Sequence, residues 1–147
     1  MAAKRQDQVG PECACFNIRR AARAITQFYD EVLRPTGLGA NQLSLLTVVS
    51  HHGPLTVNRL AEAALMDRTT VTRNLKPLAN QDLLRIYPGE DRREREVSLT
   101  RKGKGVLTRA YPLWKRAQAR MMKGLGPQRF GRLVDDLSAV VKTAQLR

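Results

Sequence analysis

From Phe16 the apolar residues Ile18, Ala21, Ala22, Ile25, Phe28, Tyr29, Val32 and Leu33 recur at three- and four-residue steps. That spacing keeps them on one face of an α-helix. "RPTGLG" at 34–39, rich in turn formers, ends the segment, and a second helix follows in "NQLSLLTVVSHH" at 41–52. Gly53 and Pro54 close it, with a C-terminal glycine and a proline just beyond. The stretch "LTVNRLAEAALMDRTTVTRNLKPLANQ" at 55–81 divides into two short helices. Thr56 caps the first, "ALM" turns the corner, and Asp67 caps the second. Two helices joined this tightly form a helix-turn-helix pattern.

Downstream, "LLRIY" and "REVSLT" are strand-like segments separated by "PGEDRRE", a charged hairpin that begins with turn formers. Val97 and Leu99 alternate as one buried strand face does. Residues 101–147 are again helical, interrupted by "KGLGP". Pro127 suits the first turn of the last helix, whose stripe is Phe130, Leu133, Val134, Leu137, Val140 and Val141. The fold class expected is mainly α with a small β-hairpin. The first and last helices carry long apolar faces outside the helix-turn-helix, and such faces must be covered by each other or by a second chain. A second chain makes a homodimer whose twofold axis presents two helix-turn-helix units at once.

Composition adds a direction. Lys and Arg total 26 against 13 Asp and Glu, a formal charge of +13. An excess of this size points to a polyanionic partner, nucleic acid before membrane. No apolar run approaches the ~20 residues of a membrane span, and "MAAKRQDQVGPE" lacks the apolar core of a signal peptide. A cytoplasmic protein is expected, with Cys13 and Cys15 as thiols. There is no glycine-rich phosphate loop, no HExxH-type metal motif, and no nucleophile, acid and base set beyond the cysteines. Neither an enzyme nor a cofactor is expected.

In "MDRTTVTRNLKPLA", helical spacing gathers Val71, Leu75 and Leu78 on one face. Arg68, Thr69, Thr70, Thr72, Arg73 and Lys76 become the candidate contacts to double-stranded DNA. Long cations and small hydroxyls on a helix in the major groove reach base edges, thymine methyls and phosphates. At the hairpin, Arg92, Arg93 and Arg95 lie near a tip, where an extended arginine can enter a narrow minor groove. Asp91, two residues before Arg93, is expected to hold its guanidinium through a charge-assisted bond.

Leu60-Ala61-Glu62, "MDRTTVTRNL", Asp91-Arg92-Arg93 and "VSLTRKG" resemble, in order and spacing, the signature run of the MarR family of bacterial winged helix-turn-helix regulators. The resemblance implies a tail at 1–12, helical dimerisation segments at 13–39 and 101–147, and a winged helix-turn-helix at 40–100. It further implies a homodimeric repressor on a near-palindromic operator, with the helix from Arg68 as recognition helix and Arg93 as wing-tip arginine. Two departures stand out. Asp82 occupies a left-handed turn where the family usually has glycine, and Pro77 is expected to kink or end the recognition helix.

Such regulators respond to a small molecule or to a reacting cysteine. Cys15, Phe16, Arg23, Thr26 and Tyr29 match the spacing of the organic-hydroperoxide sensors of the OhrR type, although Arg19 and Ala40 stand where those sensors carry further tyrosines. A bond between Cys13 and Cys15 requires a distorted segment, because residues two apart on a helix diverge. Cys15 in a first helical turn, close to Arg19 and Arg20, stands where a thiolate is favoured. Three readings of the pair stay open: inert packing with a ligand sensed elsewhere, thiol sensing of an oxidant or electrophile, and a soft metal or metalloid held between two chains. The rival function is nonspecific nucleic-acid binding, for which the charge alone suffices.

Overall fold

The computed structural model describes residues 9–146. Val9–Glu12 make one helical turn, α1, and Ala14–Leu33 form α2. Cys13 is the N-cap of α2, its Sγ accepting from the Phe16 amide at 3.5 Å. The Asn17 side-chain amide staples the two helices by donating to the carbonyls of Pro11 and Cys13, each at 3.0 Å. α2 therefore starts two residues before its apolar period does. Residues 1–8 of the expected tail lie outside the described residues.

A 3-10 turn at Arg34–Thr36 and left-handed Gly37 (φ 74°) end α2. α3 spans Ala40–His52, and its first turn is held from outside. The Asp30 carboxylate accepts from the Ala40 amide at 2.6 Å, and the Gln42 side chain accepts from the Gly39 amide at 3.1 Å. A carboxylate there also meets the positive end of the helix dipole. α4 (Val57–Ala64) and α5 (Arg68–Asn80) follow, capped by Thr56 and Asp67 as their sequence positions predict.

β2 (Leu84–Pro88) and β3 (Arg95–Leu99) form the expected hairpin. Leu55–Thr56, which reads as the approach to a helix, adds a third strand, β1, giving the antiparallel order β1-β3-β2 with Leu55 opposite Val97. Two residues show no alternation, so only the distant partner reveals this strand.

The core gathers Leu45, Leu46 and Val49 of α3, Leu60 of α4, Val71, Leu75 and Leu78 of α5, Leu84 of β2 and Val97 of β3. Leu33 of α2 and Val106 and Ala110 of α6 (Arg101–Leu125) close it from the other side. Pro77 does not end α5, which continues to Asn80. A proline inside a helix costs about 3 kcal/mol, but complete burial of Leu75 and Leu78 returns roughly 1.5–3 kcal/mol each and holds the last turn in place. Asp82 adopts the left-handed conformation (φ 57°) expected of its position.

α6 is locked to this lobe at its first turn. Thr100, its N-cap, is buried; its hydroxyl donates to the Asp82 carbonyl at 2.6 Å and accepts from the Gly103 amide at 2.9 Å. The Thr100 amide donates to the Leu83 carbonyl at 3.2 Å. α6 then runs unbroken through Pro112, and α7 (Pro127–Gln145) follows Gly126 with no buried residue of its own. Among the described residues no helix is long and apolar enough to cross a membrane.

A Cβ on Gly103 would lie 1.9 Å from the Leu83 carbonyl oxygen, and backbone cannot step aside as a flexible side chain can. Gly103→Ala is therefore expected to destabilise the fold by at least the roughly 1–3 kcal/mol of ordinary overpacking, read as a lowered urea midpoint. An unchanged midpoint would show that α6 is not fixed at this point.

Candidate nucleic-acid interface

The exposed side of α5 is a consequence of its buried side. With Val71, Leu75 and Leu78 fully buried, Arg68, Thr69, Thr72, Arg73 and Lys76 are turned to solvent. The Thr72 hydroxyl donates back to the Arg68 carbonyl at 2.9 Å. Thr70 behaves differently from its neighbours. It is half-buried, and its hydroxyl donates to Asp67 Oδ2 at 2.5 Å while its amide donates to Oδ1 at 2.8 Å. The structure thus uses Thr70 to build the start of α5. Asn74 adds a bond from its side chain to the Thr70 carbonyl at 2.9 Å.

At the other end of α5, the Lys102 ammonium donates to the Gln81 carbonyl at 2.8 Å, a cation at a helix C-terminus where the dipole favours it. Leu65, left-handed at φ 51°, makes the turn from α4 into α5 and exposes its side chain.

The hairpin tip is closed by two backbone bonds, Gly89 amide to Glu94 carbonyl at 3.0 Å and Glu94 amide to Asp91 carbonyl at 2.9 Å. The Asp91 carboxylate accepts the Arg93 backbone amide at 3.0 Å, the local bond an aspartate makes two residues ahead in a turn. Arg92, Arg93 and Arg95 are exposed, so the tip is shaped by Asp91 and presents three cations.

The sequence motifs did not show a cleft of about 700 Å³ between α2, α3 and α6. Tyr29, Leu43, Thr47, His51, Tyr111 and Trp114 are among the residues lining it. It holds three of the chain's four Tyr and Trp residues. Tyr111 and Trp114 stack with centroids 5.8 Å apart, and Tyr29 Oη donates to Gln118 Oε1 at 2.5 Å. Burial raises the Tyr29 phenol above its ordinary pKa. Aromatic residues one turn apart in an otherwise aliphatic and cationic helix were the available signal. Cys15 is exposed on the first turn of α2 and Cys13 is partly buried beside it; both are free thiols. Among the described residues no three His, Cys, Asp or Glu side chains converge on a metal position.

A helix-turn-helix whose second helix leads into a β-hairpin, with spare cations on both, defines a winged helix-turn-helix protein. Residues 36–94 match the family model described as the MarR family. The chain is 34% identical over 84 residues to the uncharacterized HTH-type transcriptional regulator YwoH of Bacillus subtilis, covering 57% of this chain and 61% of that protein. It spans about three fifths of the length of that curated relative. Among solved structures it is similar to the transcriptional regulator MosR of M. tuberculosis, in complex with DNA (39% identity, TM-score 0.78, 92% of this chain and 100% of that one). A second structure of MosR gives 37% identity and a TM-score of 0.82, covering 92% of this chain and 98% of that one. The chain belongs to the MarR family of transcriptional regulators, and the relatives it matches are regulators, not enzymes.

The Asp67 carboxyl is held below its ordinary pKa by the Thr70 hydroxyl first and the Thr70 amide second. A depressed folded-state value means the cap contributes stability above the unfolded carboxylate pKa and loses it as pH falls through the folded one. Thr70→Val removes the larger cause, so the Asp67 titration midpoint followed by NMR should move up toward the ordinary carboxylate value. A midpoint unchanged in the variant would show that the amide alone sets it.

Proposed function

We propose that the protein is a homodimeric, sequence-specific DNA-binding repressor acting on a near-palindromic operator. The observation that carries this reading is the pairing of an anchored, solvent-facing cationic helix with an arginine-bearing wing in one lobe. In this reading residues 40–100 are the DNA-binding unit, and α5 lies in the major groove. Arg68, Thr69, Thr72, Arg73 and Lys76 meet bases and phosphates there; Thr70 takes part by holding the cap. Asp91 shapes the wing from which Arg93, flanked by Arg92 and Arg95, enters the minor groove. The solved complex of MosR with DNA supports the assignment.

Residues 13–39 and 101–147 form the dimerisation region. Leu133, Val134, Leu137, Val140 and Val141 on α7 are 38–47% exposed in the single chain, an apolar stripe that a second copy covers. The dimer sets two α5 helices one or more DNA turns apart. Release of DNA comes from a small molecule in the aromatic cleft or from thiol modification at exposed Cys15, with Cys13 as its neighbour at the helix cap. The cleft touches both α2, in the dimerisation region, and α3, in the DNA-binding lobe, so an occupant can bias their arrangement.

Operator footprinting on the DNA flanking the gene supplies the test sequence. Arg73→Ala is expected to lower preference for that operator over random duplex by roughly 1–3 kcal/mol, or about 5- to 150-fold. Arg93→Ala is expected to weaken operator binding at moderate salt. A parent protein with no preference approaching ~10³-fold for any flanking sequence would replace this reading with nonspecific nucleic-acid binding.

Cys15→Ser is expected to abolish release by oxidants or electrophiles, measured as retained operator binding after treatment. A serine variant that still lets go of DNA assigns the switch to the cleft.

A further inference from the structure

Most of the net positive charge of this protein lies outside the lobe that holds α5 and the wing. Residues 40–100, which hold the helix-turn-helix and wing, carry eight Lys and Arg against seven Asp and Glu. Residues 101–147 carry twelve against two. α6 alone has eight cations and no carboxylate over its 25 residues. The six cations assigned to α5 and the wing supply the lobe's own counterion release, and the excess on α6 is left without a role in that contact.

The α6 cations are ordered in space. Lys102, Arg109, Arg116 and Lys123 recur at seven-residue steps and all are exposed. At 1.5 Å per residue they form one stripe with a cation about every 10 Å, close to three phosphate steps along one strand of a duplex. Arg120 lies beside the stripe, its guanidinium 4.8 Å from the Phe28 ring centre. The buried face of α6, marked by Gly103, Val106, Ala110 and Ala117, fixes the helix against the lobe and α2, which keeps the stripe turned outward. Of the carboxylates on α2, Asp30 is engaged at the start of α3.

We infer that the α6 stripe is a second, sequence-independent nucleic-acid surface. It takes the phosphate backbone of a duplex segment other than the one read by α5. The spacing fits a straight, regularly charged polyanion better than an acidic protein patch, whose charges have no fixed repeat. Such a surface raises local DNA concentration and lets the protein hold flanking or neighbouring DNA while α5 searches for its operator.

The test is salt-titrated fluorescence polarisation of the full-length protein with a labelled short random-sequence duplex. Arg109→Gln, Arg116→Gln and Lys123→Gln are combined in one variant, all at exposed positions, and its thermal unfolding is compared with the parent. The slope of log affinity against log salt is expected to fall by roughly 2–3, near 0.9 per cation removed. Arg109→Lys with Arg116→Lys is expected to retain the parent slope. An Arg73→Ala, Arg93→Ala variant is expected to keep the component that the glutamine variant loses. A glutamine variant with the parent slope overturns the proposal, as does a parent that captures polyglutamate in preference to duplex. If the lobe bound no DNA, the Arg73→Ala, Arg93→Ala variant would match the parent throughout while the glutamine variant lost all binding. That result would overturn the role given to α5 and leave the stripe standing.

Discussion

The contact on which the rest of the structure depends is the close approach of α6 to the Leu83 carbonyl. Five groups meet at this junction: the Asp82 and Leu83 carbonyls, the Thr100 hydroxyl and amide, and the bare Cα of Gly103. On one side of this junction lies the end of α5, on the other the 25-residue helix that leads away from the lobe. The Lys102 ammonium on the Gln81 carbonyl reinforces it from outside. Because Thr100 is buried with both hydrogen-bonding roles of its hydroxyl filled, the junction has little freedom to tilt. The orientation of α5 relative to α6 is thereby set by backbone geometry and not by side-chain packing alone.

The DNA-facing candidates divide the work in a way their residue types alone do not reveal. Asp67 and Thr70 build the first turn of α5, and Asp91 builds the tip of the wing; in each case an acid organises backbone so that neighbouring arginines are presented. This explains how the lobe can be nearly charge-balanced and still present cations on α5 and the wing. The acids are structural, and the arginines are left to solvent.

Much of the fold was legible because periodicity and caps are local properties. Val71, Leu75 and Leu78 identify the buried face of α5, and Thr56, Asp67 and Pro127 mark helix starts that the structure reproduces. Pro77 does not end α5 because its local cost is outweighed by burial of Leu75 and Leu78, and burial is a property of the whole core. The bond from the Arg93 backbone amide to Asp91 depends on turn geometry, which residue types alone do not display. β1 was not legible and the aromatic cleft was hinted at only by Tyr111 and Trp114, since Leu55 finds Val97, and Tyr29 finds Tyr111 and Trp114, only after the chain has folded.

The sequence by itself determined the helical periods, the helix-turn-helix, the hairpin and the cationic character of α5 and the wing. Those follow from side-chain spacing along a regular backbone, which any short window displays. Tertiary structure decided which hydroxyls and carboxylates are engaged internally and which cations are left outward. It also decided that Gly103 must be glycine and that three aromatic residues share one cleft. These are contacts between residues far apart in the chain, and they exist only once burial of the common core has fixed the distances between elements.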